Sequence, residues 1–529
     1  MNAFTRVSAA EVSITARHPV REAAERVLGR LWIDQVPVRL ASEDPSLWEG
    51  IPEGACWPGQ PGPARALLPR ISELTTRIRA RGLTEVVLLG SAVPALAADV
   101  VARSERAPLA VLDAPDPDPL FRLGIDHERL LRTVIVLTAD DPGTDALRRV
   151  FVRMFQGLGL PPEEIAERFV VVAEPDGPLA ALAAEAGHPL LTGPAGRVFG
   201  ALSPQALVPA ALAGVDVAKL LDQAAAVLPS LTRPENNPGL VLGALLGGCA
   251  RAGRDTVVVG SYRSPYEGLG DWIGALLTGA TGGALLPLVQ SGGVPVPAGD
   301  DLFLVALDGR PRQDDATVTG PLGAQLVVWE YSAAVAGYLL GADPLNAPVT
   351  ADGADALLTD AAEPPPAVRV LGPVGDAVQV RSRDPAFAAT EDLPALFDAL
   401  VAAVPPGGHL AIGAYLDPDT ASGQGRSIHR LAAGLATRCG RPVPVTWHSC
   451  YPAFPDDRCD KGVYLMLTGE VMQDVPVPDR PHRLSGLRFA QATGAARVLG
   501  ERGRPVVHLH MRDRRAGLAR LLEAARGEA

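Results

Sequence analysis

Short apolar runs alternate with amphipathic stretches along most of this chain. From about Pro69 the order is legible. Helical periodicity over Ile71–Arg81 leads into the apolar run Glu85–Leu89, a Gly90-Ser91 turn, and a second helical stretch at Ala95–Arg103. Strand-like runs follow at Leu109–Asp113, Thr133–Leu137, Arg168–Ala173 and near Pro189–Thr192, with helical stretches at Asp145–Gly157 and Leu179–Ala186. Near-continuous apolar strands separated by helices predict βαβ units and a parallel sheet covered on both faces. Ligands of such sheets bind beyond the carboxyl ends of the strands, where Gly90-Ser91 and Thr138–Thr144 fall.

The theme recurs. Asn236-Asn237-Pro238 signals the start of a helix over Gly239–Ala252, followed by a strand at Asp255–Val259 and the turn Gly260-Ser261. A helix at Gly268–Thr278, strands at Ala284–Val289 and Leu302–Leu307, and a long, mostly buried helix at Gly323–Leu340 complete a second unit. Beyond a Pro-rich stretch, helices at Leu393–Val404, Ile428–Cys439, Leu487–Arg502 and Ala516–Ala525 alternate with strands at Leu410–Tyr415, Val463–Thr468 and Val506–Met511. The predicted organisation is an N-terminal arm (1–69), two doubly wound parallel-sheet domains (70–220 and 221–360), a linker (361–389) and a C-terminal α/β domain (390–529). The arm offers an amphipathic segment, Val20–Trp32, and a Pro/Gly-rich stretch, but no recognisable chemistry.

Composition narrows the partners. A chain of 529 residues is too long for one core, and 47% hydrophobic content can fill several. The net charge of -12, without any Lys/Arg-rich run, argues against nucleic acid or an anionic membrane surface as partner. Cys56, Cys249, Cys439, Cys450 and Cys459 are scattered and make no disulfide framework, which suits a reducing cytoplasm. No apolar run is long enough and free enough of breakers to span a bilayer, and the N-terminus lacks a signal-peptide core.

Candidate chemistry centres on Leu190–Asp216. The loop Thr192–Arg197 precedes a helix with Ser203 at its cap and Pro204 at its first position. An arginine there suits an anionic ligand, with helix-end N–H groups beside it; a solvated arginine on a Gly-Pro turn is the alternative. Glu330, in an apolar helix, is either a desolvated base or the partner of an arginine. His508 and His510 share one face of a strand, but further metal ligands are not identifiable. Cys450 and Cys459 flank Asp456-Asp457 outside any recognised zinc pattern.

Four segments, in order along the chain, resemble the glucose-6-phosphate isomerase family, in particular the long actinobacterial type related to transaldolase–isomerase fusions. Ala195-Gly196-Arg197 with Ala201-Leu202-Ser203 and Leu207–Asp216 resembles the Gly-Gly-Arg signature and its helix. Ala336–Pro348 resembles Gly-x-x-Leu-Gly-x-Asn-Pro-Phe-Asp-Gln-Pro. His448-Ser449 with Lys461-Gly462 resembles His-Ser-Thr-Gly-Gln-Leu-His-Lys-Gly-Gly, and Gly486–Gly503 with Val506–His510 resembles the closing helix and strand.

The resemblance implies the sugar isomerase (SIS) fold: two doubly wound domains with the site between them. It implies aldose–ketose isomerisation of a sugar phosphate through an enediolate, with no metal and no cofactor. Arg197 matches the arginine that stabilises the enediolate, and His448 the ring-opening histidine. Ser91, Gly143, Thr144, Gly196 and Lys461 fall at substrate-binding positions, and Glu330 is the remaining candidate base. A homodimer or a metabolic partner enzyme stays open.

Several motifs depart from the pattern. Asp140 and Asp141 stand in the phosphate loop, where neutral or basic residues are usual. The turn after Val289 reads Gln290-Ser291-Gly292-Gly293, without the Gly-Glu-Pro carboxylate. The lysine expected in Val349–Asp355 is missing, and the family's Gly-Leu-Lys is Gly486-Leu487-Arg488. The chain therefore reads as an isomerase, as a silent sugar-binding, regulatory or scaffold relative, or as an isomerase of an unphosphorylated sugar. The loop Thr138–Thr144 is expected to bind phosphate poorly.

Overall fold

The computed structural model describes residues 4–48, 56–59, 61–90, 92–194, 196–261, 264–290, 299–308, 314–345, 369–373, 377–419, 422–447 and 461–526. Its strands form three sheets. β1 (Phe4–Ala9) and β2 (Val12–Arg17) make an antiparallel hairpin. Its turn places Ala10 and Glu11 in the left-handed region, at φ 46 and 67, where an Asn-Gly pair would have advertised a hairpin.

The first α/β sheet holds β3 (Glu85–Leu89), β4 (Leu109–Leu112), β5 (Thr133–Leu137), β6 (Phe169–Ala173) and β7 (Leu190–Thr192). All are parallel, in the order β4-β3-β5-β6-β7. Every residue of β5 and β6 is buried, as a strand covered on both faces requires. The strand order reverses between β3 and β5, which makes their carboxyl ends the crevice of this sheet.

The second sheet holds β8 (Thr256–Gly260), β9 (Leu286–Gln290), β10 (Leu302–Leu307) and β11 (Ala316–Thr319), parallel to one another. β2 pairs antiparallel with β11, so the hairpin covers what would otherwise be an open sheet edge. Helix Leu322–Leu340 is apolar on all sides and buried along nearly its whole length. Its neighbour, helix Pro238–Arg251, turns glycines toward it at four-residue spacing. A Cβ on Gly243 would lie 2.5 Å from Val335 Cβ, and one on Gly247 2.7 Å from Leu339 Cδ1. Only hydrogen at these positions allows so close an approach.

The third sheet holds β12 (Arg369–Leu371), β13 (Val378–Arg381), β14 (His409–Ala414), β15 (Val445–Trp447), β16 (Gly462–Gly469) and β17 (Val506–Met511), ordered β12-β13-β17-β16-β14-β15. β14 to β17 are parallel, while β13 runs antiparallel to β17. β12 and β13 form within the segment read as a linker, because pairing with β17 supplies the ladder that their own weak pattern does not announce. The α/β class with doubly wound parallel sheets is present as the apolar periodicity predicts. No helix among the described residues is long and apolar enough to cross a membrane.

Candidate functional site

The crevice of the first sheet is built by two tightly opposed loops. Thr138 N–H donates to Leu89 O at 3.0 Å, and a Cβ on Gly90 would lie 2.0 Å from Thr138 Oγ1. The loop then enters helix Pro142–Gly157, whose cap is Asp141. Asp141 Oδ1 accepts the N–H groups of Gly143 at 2.9 Å and Thr144 at 3.1 Å, and Thr144 Oγ1 donates to Asp141 Oδ2 at 2.7 Å. A helix N-terminus with two free N–H groups and a hydroxyl would cradle an anion. Here a carboxylate of the chain itself occupies those three donors. Gly143 and Thr144 are both buried.

The loop that carries Arg197 leaves β7 at its carboxyl end. Gly196 N–H donates to Gln205 Oε1 at 2.6 Å. Gly196 and Gly200 press together: a Cβ on either would lie 2.7 Å from the other's Cα. Arg197 itself is exposed. Ser203 occupies the cap of helix Pro204–Ala213, yet its hydroxyl does not cap; Ser203 Oγ is buried with no hydrogen bond.

Glu330 reaches this loop from helix Leu322–Leu340. Its Oε1 accepts the N–H groups of Gly200 at 2.7 Å and Ala201 at 2.8 Å, and its Oε2 accepts Gly59 N–H at 2.7 Å. Burial pushes the Glu330 carboxyl above the ordinary carboxylate range, and the three N–H donors pull it back toward the charged form. Both oxygens are engaged, so the carboxylate ties three chain segments together. Cys56 lies close by, its thiol pushed up to about 12 by burial first and then by the charges of Glu330 and Glu174.

Lys461 is exposed and immediately precedes β16, at the amino end of that strand. Its charge acts on Asp255 of the second unit rather than on a carboxyl-end crevice. Ser91 and His448 lie outside the described residues. Thus Glu330, Gly196 and the loop of Arg197 gather at one place, Gly143 and Thr144 at another, and Lys461 at a third.

The residue pattern did not disclose a buried ion network that docks the third unit beside the crevice. Asp116, in the loop after β4, is 2% exposed and meets Arg514 at 3.1 Å and Arg488 at 3.4 Å. Burial alone would raise the Asp116 carboxyl; the Arg514 and Arg488 guanidiniums hold it below its ordinary range. Asp118 accepts from Arg514 at 2.8 Å and from Gln424 Nε2 at 2.8 Å, and Arg122 pairs with the buried Asp417 at 2.5 Å. Arg488 stands where the resemblance places a lysine. Its only signal in sequence is the closing-helix motif; for Asp116 there is none.

Among the described residues, no group of three or more His, Cys, Asp or Glu is placed to hold a metal ion. No protein-family model matches the sequence, and no curated protein matches it. Solved structures do show similarity. A glucose-6-phosphate isomerase from Chlamydia trachomatis superposes with a TM-score of 0.49 at 13% identity, covering 64% of this chain and 86% of that one. A hypothetical protein from Thermus thermophilus gives 0.42 at 16% identity, covering 99% and 94%. The C-terminal domain of a glucosamine-fructose-6-phosphate aminotransferase from Francisella tularensis gives 0.30 at 11%, covering 57% and 92%. Likeness of this degree does not specify a reaction.

Proposed function

We propose that this protein is a sugar-isomerase-like protein that acts by binding, as a regulatory or scaffold relative, and does not isomerise a sugar phosphate. The observation that carries this reading is the Asp141 carboxylate on Gly143 N–H, Thr144 N–H and Thr144 Oγ1. A phosphate entering there would have to displace a covalently tethered anion and sit beside its charge. Like charges about 4 Å apart repel by roughly 1 kcal/mol in water and several-fold more in a drier crevice. The second support is Glu330. A general base must reach its carbon acid, and the Glu330 carboxyl is 2% exposed and turned onto the backbone N–H groups of Gly59, Gly200 and Ala201.

The test is a coupled assay of glucose 6-phosphate and fructose 6-phosphate interconversion, run on the wild-type chain and on Thr144→Ala. No turnover by either is expected. Turnover by the wild type that Thr144→Ala abolishes would overturn the proposal and restore the isomerase reading. Glucose and fructose are assayed in parallel, and turnover of these alone would overturn the binding role in favour of a changed substrate.

A further inference from the structure

The third sheet carries a cavity of about 330 Å³ that the first-sheet crevice does not share. It opens at the carboxyl ends of β14, β16 and β17, beside the first turn of helix Leu484–Glu501. This is where a parallel α/β sheet receives ligands, and its volume lies at the lower end of small-molecule sites.

Its floor is set by strand register. Thr468 on β16 is paired with His510 on β17, and His510 in turn with Gln379 on β13. One step back, Met466, His508 and Arg381 form the next row. Thr468 Oγ1 lies 2.7 Å from His508 Nε2 and 2.8 Å from His510 Nδ1, which fixes both imidazoles on one face. Phe489 covers them, with ring centroids 5.3 Å from His508 and 5.0 Å from His510. The Arg381 guanidinium lies 5.2 Å from the Phe489 centroid and donates to Gln379 Oε1 at 2.8 Å.

Three arginines line the space: Arg381, Arg488 and Arg514. Arg488 and Arg514 are 2% and 7% exposed and are held from behind by Asp116. One carboxylate, Glu470, lies on the lining itself, exposed at the rim. Asp116 and Asp118 offset part of the charge of Arg488 and Arg514 from behind, Glu470 stands 4.0 Å from His510 Nε2, and Arg381 adds a third guanidinium. His510 is held down to about 4 by burial first, then by the charges of Arg381 and Arg514. Guanidiniums are forks of donors that match an oxyanion, and fixing them in advance removes the cost of ordering them on binding.

We propose that this cavity binds a small molecule through a phosphate or carboxylate group, with the oxyanion against Arg381 and the guanidiniums of Arg488 and Arg514. Thr468 and His510 offer neutral polar contacts to the rest of the molecule, and Phe489 closes the apolar side. The site is separate from the Asp141 loop, and its test rests on the reading above that this loop is silent; Arg381 and Thr144 variants tell the two sites apart.

The test is calorimetric titration of the full chain with inorganic phosphate, glucose 6-phosphate and succinate at low ionic strength. Saturable binding of at least one probe is expected, and the ranking separates a phosphate site from a carboxylate site. Arg381→Gln is expected to weaken that binding tenfold or more, Arg381→Lys to weaken it less, and Thr144→Ala to leave it unchanged. Circular dichroism and thermal melting establish that the variants are folded; Arg381 is chosen because it stands outside the Asp116 network. Failure of all three probes at millimolar concentration would overturn the proposal. So would binding that a folded Arg381→Gln leaves intact, or binding that Thr144→Ala abolishes.

Discussion

Glu330 Oε1 accepts the Gly200 N–H at 2.7 Å, across 130 positions of sequence. The bond joins the buried helix of the second unit to the loop that presents Arg197. With Ala201 and Gly59 it accounts for three backbone donors that would otherwise be buried and unsatisfied. An orphaned buried donor costs about 1–3 kcal/mol. Glu330→Ala is therefore expected to destabilise the chain by roughly 3 kcal/mol or more. Glu330→Gln keeps one acceptor oxygen but turns an amide N–H toward a donor, and an intermediate loss is expected. Urea denaturation measures both. A Glu330→Ala variant within about 0.5 kcal/mol of wild type would remove the clamp from the account.

Asp141→Ala removes the cap of helix Pro142–Gly157 and should cost about 1 kcal/mol of stability. The same change frees Gly143 N–H, Thr144 N–H and Thr144 Oγ1. In an Arg381→Gln background, which silences the cavity of the third unit, inorganic phosphate is expected to bind the Asp141→Ala chain more tightly than the parent. Equal affinity in the two chains would show that Asp141 does not compete with an anion at this loop.

Asp116→Ala is expected to cost about 3–5 kcal/mol, since it leaves two buried guanidiniums without their shared carboxylate. Arg122→Ala should cost less, because it strands one buried charge rather than two, and that carboxylate, Asp417, keeps the Asp419 N–H. The Asp116 variant should also release the third unit from the first, read as two urea transitions in place of one. Retention of a single, unshifted transition would contradict this assignment.

Acid should weaken the fold through the histidines of the third unit. His508 is held down to about 3, by burial first and then by His510 and Arg381, and His510 to about 4. Below the ordinary histidine value of about 6.5 the unfolded chain takes up protons that the folded chain refuses. Stability is thus full above that pH and falls as pH drops toward 4, by up to about 1.4 kcal/mol per pH unit per histidine. Nitrogen-15 NMR of the imidazoles should show both rings neutral at pH 5.5. Replacing His508 with Gln should flatten the pH dependence of urea stability between pH 6.5 and 4.

The apolar periodicity alone determined the α/β class. Glu85–Leu89, Thr133–Leu137, Leu302–Leu307 and Val506–Met511 stand as strands at the limits the pattern predicts, because a strand buried on both faces must be apolar throughout. Helix starts were legible where the cap is chemical: Asn237 does cap Leu240 N–H at 2.9 Å. Other features depended on partners remote in sequence. The β1–β2 hairpin turns on left-handed Ala10 and Glu11, residues with no turn signature, and gains its place only from the edge of β11. Asp141 could be read as an unwelcome charge in a phosphate loop, but not as the cap that fills it, since that depends on where its side chain turns. Glu330 could be read in sequence as a base or as an ion-pair partner, and its acceptor role comes from the backbone of two distant loops. The arginine-lined cavity was equally out of reach. Gln379, Thr468, Arg488 and His510 are adjacent only because β13, β16 and β17 are hydrogen-bonded neighbours with helix Leu484–Glu501 over them, and pairing between strands far apart in the chain is not encoded in the pattern of any one of them.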